Sequence, residues 1–172
     1  MLPPFYYTEF LTWCFMINDV EKIKRFKLMP SPVPDSCWYS NLRTVLPKGI
    51  WDIIRKDAYA KANGKCMICG AKVNRLEAHE NWVYDEKNCV QKLESILALC
   101  HSCHAVIHIG RTQLIDQEEM AIKHFCKVNG CSYSDYIKAL ALANEKHRRL
   151  NEVSEWKLDV SIIAHLLEDK KD

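Results

Sequence analysis

An α+β fold, mostly helical, is the class this sequence predicts, and three observations predict it. Two Cys-x-x-Cys pairs, Cys66/Cys69 and Cys100/Cys103, stand thirty residues apart. The stretch between them reads as strand, loop and strand. Apolar residues at helical spacing flank this block on both sides. At 172 residues, with 48% apolar side chains and five tryptophans, the chain is long enough to bury a core.

Residues 1–46 form the first segment, an N-terminal helix and a linker expected to pack on the core. The helix spans about residues 8–26, with Phe10, Trp13, Cys14 and Ile17 on one face. Pro30, Pro32 and Pro34 then fix an extended connection. Trp38 follows, with Arg43 shortly after it. A tryptophan here is first a core anchor and second a base-stacking group beside a phosphate-gripping guanidinium.

Residues 47–112 hold the core. A helix over about residues 50–62 carries the apolar stripe Trp51, Ile54, Ala58 and Ala62, with Arg55 and Lys56 pointing elsewhere. Asn63-Gly64 closes it. Residues 72–80 read as a strand, 81–86 as a loop containing Trp82 and Tyr84, and 90–99 as a return that becomes a strand near Ile96–Leu99. A helix is expected after Cys103, through His104 and His108 to about Gly110.

Residues 113–172 are a helical extension: a helix over 117–128 ended by Asn129-Gly130, and a second over 133–152 opened by a Ser132/Asp135 capping box. Trp156 to Val160 is an extended piece. Ser161 caps a last short helix to about Glu168.

Four thiolates in two close pairs are the donor set of a structural zinc ion, and Gly70 allows a tight turn past it. Buried free thiols or a redox pair would not explain two matched pairs. Strand, loop, strand and helix around such an ion is a treble-clef type of arrangement. The other five cysteines are scattered and odd in number, which suits a reducing compartment. No Lys or Arg precedes the apolar N-terminus, Pro3 and Pro4 open it, and Glu9 interrupts it. The expectation is a soluble, cytoplasmic chain with no membrane segment.

Net charge is only +2, but it is uneven. From Arg43 to Arg75 eight basic residues face two aspartates, a net of +6, whereas residues 76–110 carry −3. A basic segment beside a His-rich acidic one suits a metal site next to a phosphate-binding surface; a solvated helix face is the plainer alternative. His104 and His108, four apart, share a helix face, and His79 lies on the strand held against it. Together they can bind a second divalent ion: magnesium, manganese, nickel or zinc. Glu77, Glu80 and Asp85 are near enough in sequence to add an oxygen ligand or a proton acceptor. His104 taken alone reads instead as a hydrogen-bonding neighbour of the zinc sulfurs. His101 is expected to face solvent, and His124, His147 and His165 carry no assignment.

The runs Cys-Met-Ile-Cys-Gly (66–70), Leu-Glu-Ala-His-Glu (76–80) and Ile-Leu-Ala-Leu-Cys-His-Ser-Cys-His (96–104) resemble the HNH endonuclease family of ββα-metal nucleases, in its zinc-stabilised branch. The resemblance covers about a third of the chain. It implies metal-dependent hydrolysis of DNA phosphodiester bonds. In one register His79 takes the metal-ligand position and Glu80 the general-base position. Shifted by one, His79 becomes the base and Ala78 stands where a ligand should be. His104 matches the last histidine, with His108 as a further ligand, and Ser95 stands at the family's asparagine. The resemblance thus implies His79, Glu80 and His104 as catalytic residues; the +6 segment, with Arg43, Arg55 and Lys56, and Trp38 before it are expected on nucleic acid. A non-catalytic treble-clef module, binding nucleic acid or a protein partner through the C-terminal helices, is the alternative that the incomplete motif leaves open.

Overall fold

The structure is a computed structural model that describes residues 20–164 and residue 166. Most of the expected N-terminal helix and the end of the last one lie outside the described residues; within them, residues 20–24 are helical. The fold is α+β and mostly helical, with a β-hairpin next to helices and a four-cysteine cluster.

In chain order the helices are α1 (Leu42–Val45), α2 (Lys48–Ala62), α3 (His101–Ile107), α4 (Ile109–Leu114), α5 (Glu118–Asn129) and α6 (Tyr133–Leu150). The strands are β1 (Glu77–Asp85), β2 (Val90–Leu99) and β3 (Lys157–Asp159), in sheet order β1-β2-β3. β1 and β2 are antiparallel, with His79 opposite Leu97 and Asn81 opposite Ser95, and the register slips between Asn81 and Trp82. β3, the extended piece expected after Trp156, runs parallel to β2.

The hairpin is longer than expected. Residues 81–85, read as loop, continue β1, and the turn falls instead at 86–89. Trp82, Val83 and Tyr84 are strong strand formers, and cross-strand pairing outweighs the local turn signal of Asn81. Residues 73–76 are not strand; Lys65 and Lys72 make only an isolated bridge. α3 starts at His101, earlier than expected, because the Cys100 sulfur caps it by accepting from the Cys103 N–H. α4 is a helix the periodicity did not reveal.

Each face of the hairpin has its own core. On one, Trp51 and Ile54 of α2 pack with Leu42, Leu93, Ala78, Trp82 and Ile96. On the other, Leu99, Cys103 and Val106 pack with Ala121 and Phe125 of α5 and Tyr136 and Ala139 of α6. Asn63, in a left-handed conformation with φ 49°, closes α2. The capping box of α6 forms as expected, and Gly130, at φ 61°, ends α5. The proline segment is fastened rather than free: Leu28 N–H donates to Asn129 Oδ1, and Ser31 N–H to the Ile107 carbonyl. Among the described residues no helix is long and apolar enough to cross a membrane.

Candidate metal centres

The first centre is built by a chain reversal against the end of β2. The Cys66 N–H donates to the Ala71 carbonyl and the Gly70 N–H to the Cys66 carbonyl, closing a turn that needs the positive φ of Gly70, 74°. Met67 N–H donates to the Ala98 carbonyl, pinning this turn beside Cys100 and α3. The sulfurs of Cys66, Cys69, Cys100 and Cys103 all lie within 4.8 Å of one another. Cys69 and Cys100 sulfurs are 3.7 Å apart. Two thiolates on one tetrahedral zinc ion sit about 3.8 Å apart at the usual Zn–S length, so donor type and spacing both fit. Burial opposes a charge on Cys66, but the backbone N–H groups of Cys69, Cys100 and Ile68 outweigh it and bring the thiol down to about 7. Burial, then repulsion from Cys66 and Cys100, pushes Cys103 far up. Four sulfurs this close need a cation among them before all can be ionised.

The second centre lies between β1 and α3. His79 faces α3 from the strand, and His104 and His108 face it from successive turns of the helix end. One nitrogen from each ring falls within 4.8 Å of the others. His79 Nδ1 and His108 Nε2 are 3.1 Å apart. Two imidazole nitrogens on one zinc-like ion stand about 3.3 Å apart, so this pair is at ligand spacing. Lone pairs at that distance repel unless a proton or a cation sits between them. His79 is held down at about 3, by burial first and then by His108 and His104, and His108 at about 4 by burial, His104 and Arg111. Both rings are therefore neutral at physiological pH and offer lone pairs, as metal ligands must.

Glu77 completes this arrangement. Two residues before His79 on the strand, it shares that face. Its Oε2 accepts from His104 Nδ1 at 2.5 Å and its Oε1 from His101 Nδ1 at 3.0 Å. Burial raises its pKa, but these two bonds outweigh that and hold it below the ordinary value. A carboxylate on Nδ1 fixes the His104 tautomer and frees Nε2 for an ion, the usual support of a metal-binding histidine. Glu77 is thus an orienting group here rather than an added ligand. Asp85, at the far end of β1, instead holds Asn88 and the turn.

Glu80 points away. Successive strand residues face opposite sides, and its carboxylate accepts from Leu42 N–H at 3.0 Å and Trp82 Nε1–H at 3.1 Å. Burial raises its pKa despite those bonds. Glu80, expected at the base position, has its side chain tying α1 to the hairpin on the face opposite the histidines. Ser95 has no amide, but Asn81, on the facing strand, donates to Ser95 Oγ at 3.2 Å.

Trp38 is no core anchor: it is 62% exposed, and Tyr39 beside it is 85% exposed. The chain turns out of a short 3-10 helix there, and Leu42 rather than Trp38 enters the core. Arg43 is exposed and lies 5.8 Å above the Trp51 ring. Arg55 pairs with Asp52 at 2.7 Å, while Lys56 faces solvent. His101 is exposed as expected, yet bound to Glu77. His124, to which the sequence attaches no role, has its Nε2 3.1 Å from the Cys103 sulfur. Glu77 was readable from the strand period; His124 was not, because only the packing of α5 on α3 brings it there.

A four-cysteine cluster and a three-histidine group beside a β-hairpin followed by helices are consistent with a ββα-metal-like arrangement. The chain matches no protein-family model, no curated protein and no solved structure.

Proposed function

We propose that this chain is a metal-dependent phosphodiester hydrolase of the HNH type acting on DNA, with zinc on Cys66, Cys69, Cys100 and Cys103 as its structural staple. The observation that carries the reading is the convergence of His79, His104 and His108 on one point, with Glu77 behind His104. Three imidazole ligands bring no negative charge to a divalent ion, which favours an anionic substrate. Such an ion, when bound, supplies Lewis acidity at a phosphoryl oxygen and a more acidic water. His79 and His108 hold it from strand and helix. Glu77 keeps His104 in the tautomer that presents Nε2. Arg111, exposed and close enough to bear on His108, adds positive charge at the rim. Arg43, Arg55 and Lys56 contact phosphates, and Trp38 with Tyr39 stacks on bases. Such contacts confer affinity without sequence readout.

A second reading is favoured by Glu80. With its carboxylate committed to Leu42 and Trp82, the base position of the family's motif has no counterpart on the histidine face. A non-catalytic module that binds nucleic acid, or a protein partner through the C-terminal helices, would tolerate that loss. The test is nicking of supercoiled plasmid in magnesium, manganese or nickel by the wild type, His79→Ala and His104→Ala. Nicking by the wild type alone supports the hydrolase. Equal nicking by all three overturns it, and salt-dependent binding without nicking moves the reading to the module.

A further inference from the structure

The four sulfurs differ in where their hydrogen-bond donors come from. Cys66 takes the backbone N–H groups of Ile68 and Cys69 in its own turn and that of Cys100, and Cys100 takes the Cys103 N–H at 3.5 Å. Cys103 stands in the first turn of α3 and gives its own N–H to the Cys100 sulfur, and the donor that its sulfur meets comes from another element. That element is α5. Ala121 and Phe125, both fully buried, seat it against Cys103 and Val106, and His124 between them reaches the sulfur with Nε2 at 3.1 Å.

We propose that His124 is a positioning residue for the four-sulfur centre, its Nε2–H donating to the Cys103 sulfur. A thiolate can only accept here, so the proton lies on Nε2. The bond offsets part of the sulfur's charge, fixes its direction, and joins the C-terminal helices to the centre. Because the contact needs both a seated α5 and a correctly held sulfur, each stabilises the other, and metal retention is linked to docking of α5. This inference rests on the four-sulfur centre alone and stands whether or not the chain cuts DNA.

The experiment uses the full zinc-loaded chain with His124→Gln, which keeps an N–H donor, and His124→Met, which fills similar space without one. Zinc is withdrawn with a chromogenic chelator. His124→Met should release zinc roughly 10–100-fold more readily than wild type, the usual cost of losing an outer partner of a metal ligand, while His124→Gln stays near wild type. In cobalt-substituted protein the thiolate-to-cobalt band should move to lower energy in His124→Met only. Amide exchange along α5 should rise in the same variant. Failure of His124→Met to fold beside an intact His124→Gln supports the proposal equally. Both variants matching wild type, or both losing zinc alike, overturns it and leaves His124 a packing residue.

Discussion

Cys66, Cys69, Cys100 and Cys103 stand only a few residues along the chain from His79, His104 and His108, yet the two groups are built to opposite ends. Three of the four sulfurs are closed off, with Cys66 at 2%, Cys100 at 6% and Cys103 at 0% exposure, and the Cys66 and Cys100 sulfurs accept from backbone N–H groups. His79 and His108 are uncharged, and the His104 side chain is 21% exposed at the rim. Four thiolates fill a tetrahedral ion's coordination and suit an ion that holds structure; three imidazoles leave a position free and suit an ion that meets a substrate. The shared scaffold teaches that α3 serves both: its first turn offers the Cys103 sulfur, and His104 and the C-cap residue His108 offer nitrogen.

Breaking the sulfur side should have the largest effect. Cys100→Ala removes a thiolate from an ion whose binding is worth about 10–16 kcal/mol to folding, comparable to a whole domain's stability. Zinc content should fall below one per chain and the thermal transition should broaden or vanish. Breaking the nitrogen side should leave the fold intact. His104→Ala should abolish the second ion in metal titration while the melting temperature and zinc content hold, and Glu77→Gln should weaken that ion by roughly 10–100-fold.

Glu80 sharpens the contrast further. Glu80→Ala should not touch either ion, but it strands the Leu42 N–H and the Trp82 indole N–H, costing about 1–3 kcal/mol in chemical denaturation. The last effect involves neither ligand set. Asp135 is held at about 2, below its ordinary 3.8, by Lys22 first and then by Ser132. A depressed carboxylate contributes stability above its unfolded pKa, which is lost as pH falls through the folded value. The wild type should therefore lose more stability than Asp135→Asn between about pH 4 and pH 2.

The sulfur centre was legible because its signal is local: two pairs and a glycine, each a few residues long. α2, α5 and α6 were legible from helical spacing and from Asn63, Gly130 and the Ser132/Asp135 box. The hairpin was less so, since Asn81 reads as a turn until its pairing with Ser95 is known. Trp38 misled because a tryptophan is usually buried, and nothing local says that Leu42 takes the inward place. Glu77 and Glu80 looked interchangeable as acids near His79. Strand alternation alone separates them, and it applies within the stretch 72–80 that already reads as strand.

The central claim is that the three imidazoles hold an ion of their own. Zinc-loaded protein should be titrated with nickel, with bound metal counted after gel filtration, beside His79→Ala and His104→Ala. Two ions per wild-type chain, falling to the single zinc in both variants, is the result predicted. A wild type that stops at one ion, or variants that still take up the second, would contradict it.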